Sequence, residues 1–185
     1  MTPLSETELA AVRDELSRAR IRDAMFRYCR GVDRGDEALI RSAYHNDSRD
    51  WHGKYQGPSA AFAAAFVKSM PGIAQGLQHL LGNMLIELDG ESAHVETYFF
   101  TAYRDAQDLE VVAMFGGRYL DLFERRDGEW KIANRTVVND WTFRKELPRD
   151  TKGDAGYPSG RTDLEDLVFQ AQTWAVPTTT GGGQA

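Results

Sequence analysis

The feature that most constrains this chain is a change of character at Gly72. Before it, apolar residues recur at helical spacing. After it, stretches around 77–88, 91–104, 110–125 and 129–142 are rich in Val, Ile, Leu, Phe, Tyr and Thr. Asp89-Gly90 and Asp127-Gly128 separate two pairs of these stretches and are strong hairpin signals, because the primed turns that join antiparallel strands need positive φ. Helices first and long antiparallel strands afterwards exclude alternating βαβ units and predict an α+β domain. The helices must cover one face of the sheet. A strongly curved, mainly antiparallel sheet closed against N-terminal helices makes a cone-shaped α+β barrel with a pocket inside.

Within the first part, Ser5-x-x-Glu8 is a capping-box pattern ahead of a long helix. Val12, Leu16, Ala19, Met25, Cys29 and Val32 mark its apolar side, and Gly31 and Gly35 loosen the chain. Asp36 is placed to cap a short second helix, EALIRSAY, which HNDSRD breaks; WHGKY reads as a short strand. Gly57-Pro58-Ser59 opens a third helix that Met70-Pro71-Gly72 stops. From Lys145 the chain turns polar and rich in Gly and Pro, with a helix expected near RTDLEDLVFQAQTWA and a flexible TTTGGGQA end. The expected organisation is a cone domain over 1–145 and a partly helical extension over 146–185.

A chain of 185 residues suits one domain, and 28 acidic against 22 basic residues argues against a nucleic-acid partner, which would need clustered Lys and Arg. No run of 18 apolar residues exists, so no membrane span or membrane partner is expected. MTPLSETELAAVRDEL lacks the uninterrupted apolar core of a signal peptide, which makes cytoplasmic localisation the expectation. Cys29 is the single cysteine, so neither an internal disulfide nor a cysteine-based zinc cluster can form.

Four histidines narrow the search for a general base. His45 lies in a polar break and is expected in solvent; His94 reads as a strand-edge residue. His52 follows Trp51 in an extended stretch and could line a pocket. His79 differs, because it sits inside the apolar strand LQHLLGNMLIEL. By strict alternation it shares a face with Leu81, Asn83 and Leu85, while Leu80, Met84, Ile86 and Leu88 lie opposite, so both faces are expected to be buried. A buried histidine needs hydrogen-bond partners, and Asp33 at the inner end of the first helix is one available acceptor. Such a pair fixes the imidazole tautomer and stabilises the imidazolium. The residues alone are equally compatible with a satisfied core histidine and a solvated helix-end aspartate. Arg135 lies mid-strand with Val137, Asn139 and Trp141 on its expected face, and either binds an oxyanion or pairs with a strand carboxylate such as Asp121. Arg118 presents the same alternatives. Tyr28, five residues before Asp33, could reach the same cavity, and Trp51 and Trp141 could wall an aromatic site. No phosphate-binding glycine loop, nucleophile elbow or H-E-x-x-H spacing is present. A base without nucleophile, metal or nucleotide site suits proton abstraction, as in elimination or isomerisation.

YCRGVDRGD, YQGPSA, QHLLGNMLIELDGESAHVETYF and GGRYLDLFERRDGEWKIANRTVVNDW, in that order over residues 8–143, resemble the SnoaL-like branch of the nuclear-transport-factor-2-like superfamily. The pattern is most similar to its scytalone dehydratase, bile-acid 7α-dehydratase and hexachlorocyclohexane dehydrochlorinase subset. The resemblance implies a cofactor-independent lyase in which Asp33 and His79 form the base. It further implies Tyr28 and Arg135 as catalytic partners, Trp51 as a pocket wall, and a hydrophobic, ring-bearing substrate. Water is one implied leaving group; formaldehyde from a lignin-type diaryl propanediol is another. Homo-oligomers, dimers or trimers, built through the outer sheet face are also implied. An isomerase or cyclase on the same cone would use a strand carboxylate such as Asp121 or Glu96, and a non-catalytic binding module is the remaining alternative.

Overall fold

The Ser5 side chain accepts from the Glu8 N–H while the Glu8 carboxylate accepts from the Ser5 N–H, so the expected capping box forms. It starts α1, Glu6–Arg34, in the computed structural model, which describes residues 3–147 and 160–170. Gly31 does not interrupt this helix. A Cβ there would lie 2.7 Å from the Ile40 nitrogen, so glycine lets the next helix approach. The helix ends at Gly35, whose φ of 62° is the left-handed cap conformation that glycine adopts without strain. Asp36 then caps α2, Glu37–Ser42, by accepting from the Leu39 N–H at 2.9 Å.

HNDSRD, expected as a break, is instead the body of strand β1, Tyr44–His52. Its inward Ser48 is satisfied locally: the hydroxyl donates to the His45 carbonyl and shares a hydrogen bond with the Ser59 hydroxyl. His45 is likewise not free in solvent; its Nε2 lies 2.9 Å from the Glu124 carbonyl oxygen. Strand β2, Tyr55–Pro58, returns antiparallel to β1, and α3, Ser59–Ser69, follows directly. Strands β3 (Ala74–Asp89), β4 (Ser92–Asp105), β5 (Val111–Arg126) and β6 (Glu129–Glu146) then make a long meander. Asp127 and Gly128 both take positive φ in the β5–β6 turn, as a two-residue primed turn requires. In the β3–β4 hairpin the two-residue loop is Gly90-Glu91, one position beyond the Asp-Gly pair.

The sheet order is β2-β1-β6-β5-β4-β3, antiparallel except for β1 against β6. The sheet is mixed and open, with the three helices on its inner face, which is the cone-shaped α+β fold. The core lies between α1 and that face, built on Ile21, Met25, Val32, Ile86, Phe123 and Ile132. Among the described residues no helix is long and apolar enough to cross a membrane.

Two bulges break strict alternation and correct the sequence reading. Gly82 and Asn83 together face the single residue Tyr98, because Leu81 pairs with Phe99 and Met84 with Thr97. The inward series is therefore Leu77, His79, Leu81, then Met84, Ile86 and Leu88, and Asn83 and Leu85 are exposed. The outer face of β3 is not buried in the single chain; Leu80 and Leu85 stand in solvent. The second bulge lies at Asp140, since Gly117 pairs with Asn139 and Gly116 with Trp141. It turns Trp141 to the outer face, where its ring lies against Gly116 and within 5.9 Å of Phe100.

The expected helix over 161–175 does not form in residues 161–170, which make turns and one short 3-10 helix, Leu167–Phe169. Residues 171–175 and the TTTGGGQA end lie outside the described residues. The described segment packs against the end of α1, with Asp166 Oδ1 3.6 Å from Arg34 Nε and Phe169 beneath the Arg30 guanidinium.

A Cβ at Gly117 would meet the Val138 carbonyl oxygen at 2.0 Å and the Phe99 ring at 3.0 Å. Gly117→Ala is expected to cost about 1–3 kcal/mol, the usual cost of overpacking. Gly82→Ala, where the nearest atom is 3.6 Å away, serves as the control in the same denaturant titration.

Candidate active site

A carboxylate in the last turn of a helix opposes the macrodipole, a cost of about 0.3–1 kcal/mol, so Asp33 needs donors from outside α1. His79 supplies two. Its backbone N–H donates to Asp33 Oδ2 at 2.9 Å, and its Nδ1 lies 2.6 Å from Asp33 Oδ1. With both groups largely out of water, the carboxylate fixes the Nδ1–H tautomer and leaves Nε2 with the free lone pair. The neighbouring Arg34 donates to the Asp33 and Leu77 carbonyls, which ties the helix end to β3.

His79 lines a cavity of about 350 Å³ between α3, the inner sheet face and the β1–β2 turn. Phe66, Met70, Leu77, Phe99, Phe115 and Tyr119 make its walls mostly apolar. Thr101, Tyr103, His52 and Asn139 add polar groups. Among the described residues no carboxylate lines it. On its other side the Asp33–His79 pair faces a second groove, of about 410 Å³, bounded by Phe26, Arg30, Arg34 and Val168.

The other candidates divide. His52 and Asn139 reach the cavity, Asn139 with its side-chain N–H donating to the Thr142 hydroxyl. Trp51 does not: it is 51 % exposed on the opposite side of β1, and its indole N–H donates to the Gly53 carbonyl. Asn83 and Trp141 are turned outward by the bulges described above. Arg118 is also on the outer face, paired with Glu96 at 3.0 Å and Asp140 at 3.1 Å.

Tyr28 and Arg135 lie together beneath the cavity rather than on its wall. Arg135 is fully buried, and two of its nitrogens donate to the two Asp121 oxygens at 2.7 Å each. Its guanidinium carbon sits 4.1 Å from the Tyr28 ring centre and 4.2 Å from that of Tyr119. Of the two readings open in the sequence, this is the ion pair with Asp121. Burial opposes the Arg135 charge, yet Asp121 and the surrounding tyrosines hold its pKa well above the ordinary value. Burial pushes the Asp121 carboxyl up, against the pull of Arg135. Burial also raises the Tyr28 hydroxyl far above the ordinary tyrosine value and the Cys29 thiol to about 12, so neither ionises near neutral pH.

Sequence reasoning missed the inner face of β4. Thr97, Phe99, Thr101 and Tyr103 follow one another at period two within TYFFTAYRD, and that alternation was the available signal.

The SnoaL-like domain family matches residues 13–136 of this sequence. This chain belongs to the SnoaL-like domain family. Among solved structures, a type 2 hexachlorocyclohexane dehydrochlorinase superposes on this SnoaL-like domain with a TM-score of 0.68 at 17% identity, covering 76% of this chain and 98% of the other. The type 3 dehydrochlorinase of Novosphingobium barchaimii gives 0.66 at 18% identity over 75% and 99%. A scytalone dehydratase-like protein of Novosphingobium aromaticivorans gives 0.62 at 17% identity over 84% and 100%. Among curated proteins, none matches the sequence significantly. These likenesses establish the fold and the branch expected from the sequence.

The Arg135–Asp121 pair generates a stability test. Removing one partner of a buried ion pair strands the other charge, at a cost of about 3–5 kcal/mol. Arg135→Met alone is expected to lose that much in urea unfolding, and Arg135→Met with Asp121→Leu to recover most of it.

Proposed function

We propose that this SnoaL-like domain is a cofactor-independent lyase acting on a hydrophobic, ring-bearing small molecule. The observation that carries this reading is the Asp33–His79 pair opening on an apolar cavity. His79 Nε2 takes a proton from carbon or from a hydroxyl, and Asp33 stabilises the imidazolium that results. Low polarity around the pair strengthens that electrostatic help. A cavity of about 350 Å³ falls at the lower end of the range of small-molecule sites, roughly 300–1,000 Å³. Such a volume suits a compact substrate, with loss of water or of formaldehyde as the elimination step. Asp33 and His79 are the catalytic residues in this reading. Tyr28 and Arg135 act from beneath, by holding Tyr119 in the cavity wall.

An isomerase or cyclase based on a strand carboxylate has less support. Asp121 and Glu96 are both engaged by arginines, and neither lines the cavity. A purely structural module would have no need of an oriented imidazole beside an open cavity.

The outer sheet face carries Leu80, Leu85, Tyr98, Phe100, Trp141 and Phe143 in solvent, and a contiguous exposed apolar face is the kind of surface that marks an interaction site. That face suits association between copies of the chain. Sedimentation should show a dimer or trimer, shifted toward monomer by Leu80→Asp with Leu85→Asp.

A panel of ring-bearing alcohols and halides, with loss of water, halide or formaldehyde monitored, tests the activity. His79→Gln is expected to lower kcat by about 10²–10⁴, the usual contribution of a general base. Asp33→Asn should lower kcat too and should also destabilise the fold by about 1–3 kcal/mol, since an amide NH2 replaces one of the two oxygens that face the part-buried His79 donors. A folded His79→Gln protein with wild-type turnover would sink the proposal.

A further inference from the structure

The cavity is lined by a second histidine that also has a carboxylate behind it. Asp50 and His52 are two residues apart on β1 and so share its inner face, while Trp51 between them points outward. Asp50 is 1% exposed. Its Oδ2 accepts from the Tyr44 hydroxyl at 2.6 Å, but its Oδ1 is buried without a hydrogen-bond partner. His52 Nδ1 is buried and unpartnered as well, and it lies 3.6 Å from that same Oδ1. The two unsatisfied atoms face each other, less than about 1 Å beyond hydrogen-bond distance. A small rotation of the His52 ring satisfies both.

The charges in this region favour that contact. Arg135 is the register partner of Asp50 on one side and of Asp121 on the other, so one guanidinium stands between two buried carboxylates. Asp121 takes it with two hydrogen bonds. Asp50 is left with the Tyr44 hydroxyl as its one hydrogen-bond donor, and a buried carboxylate oxygen without a partner is costly. An N–H at His52 Nδ1 supplies the missing donor. The His52 ring also stacks on Phe62, with centres 4.6 Å apart and planes 15° from parallel, which sets its plane. With Nδ1 turned to Asp50, Nε2 is the nitrogen left for a molecule in the cavity.

We propose that His52, held by Asp50, is the general acid of this cavity, opposite the base His79. The assignment rests on the lyase reading above and extends it. For an alcohol substrate the step balances as follows. His79 Nε2 takes a proton from carbon, and the C–H electron pair becomes the new double bond. The adjacent C–O bond breaks with its pair on oxygen, and that oxygen takes the Nε2 proton of His52, so water leaves. His79 ends as imidazolium and His52 as neutral imidazole, and one proton passed through solvent water from the first to the second restores both. The curved sheet makes this possible, because β1 and β3, which lie far apart in strand order, both line one cavity.

The first test needs no substrate. In ¹⁵N spectra of histidine-labelled protein, with His52 assigned by the signal lost in His52→Gln, His52 is expected to carry a proton on Nδ1, facing Asp50, and a second on Nε2, the one the acid step uses. Asp50→Asn should move it toward the Nε2–H tautomer common in free histidine. A wild-type His52 with a single ring proton, on either nitrogen, overturns the proposal. The second test compares 4-hydroxy-4-phenylbutan-2-one with its 4-chloro analogue, both giving the same enone on elimination and read by its absorbance. Chloride leaves without a proton, so His52→Gln should cost about 10²–10⁴ on the hydroxy compound and far less on the chloro compound. Equal losses on both overturn the acid role. His79→Gln should cost both reactions alike; retention of both in that variant removes the lyase reading, while the spectra still decide how His52 is held.

Discussion

The buried guanidinium of Arg135 is the interaction on which the remaining architecture depends. Its cationic group is fully out of water and lies between the Tyr28 and Tyr119 rings, with Asp121 taking two hydrogen bonds and Met25 Sδ a third contact at 3.0 Å. Tyr28 and Met25 belong to α1, Tyr119 and Asp121 to β5, and Arg135 to β6. A single charge therefore fixes how the long helix lies across the sheet. Aromatic faces and a paired carboxylate are what make such burial possible, since an unmatched charge here would cost several kcal/mol.

From that anchor the position of Asp33 follows. Tyr28, Cys29 and Val32 continue the buried stripe of α1, and Asp33 comes in the final turn before the Gly35 cap. Ending the helix there brings the carboxylate to the edge of β3, where the His79 N–H and ring can reach it. Moving the cap by one turn would displace Asp33 by about 5.4 Å along the axis, the pitch of an α-helix, and would break both contacts. The helix end and the candidate base are thus one structural unit.

Much of this was legible in the sequence because it follows from local rules. The capping box at Ser5, the cap at Asp36, the β5–β6 turn at Asp127-Gly128 and the helix-then-strand order all depend on near neighbours. His79 stood out because a polar ring interrupts an apolar strand; Asp33 was one available acceptor, and the family resemblance is what favoured the pair. Illegible were the features that depend on a partner strand. The bulges opposite Tyr98 and at Asp140 reverse the facing of everything beyond them, so alternation counted from the sequence sent Asn83 and Trp141 to the wrong side. Strand β1 was hidden because its inward residues, Ser48, Asp50 and His52, are polar, and their neighbours are groups that only the fold brings together. Arg135 and Asp121 could be paired on paper, but whether that pair faces the cavity or lies below it depends on the two tyrosines.

The polar groups of the inner face are graded by depth. The deepest, Arg135, Asp121 and Asp50, are buried and hydrogen-bonded among aromatic rings. Above them lie the imidazoles of His52 and His79, each with a carboxylate on its Nδ1 side and the cavity before it. A neutral imidazole can enter apolar surroundings at modest cost, whereas its cation cannot do so unaided. A carboxylate fixed behind the ring removes that asymmetry, because the cation then forms as half of an ion pair. The apolar cavity and the buried carboxylates therefore belong to one arrangement: the first keeps water from the imidazoles, and the second makes a change of protonation there less costly.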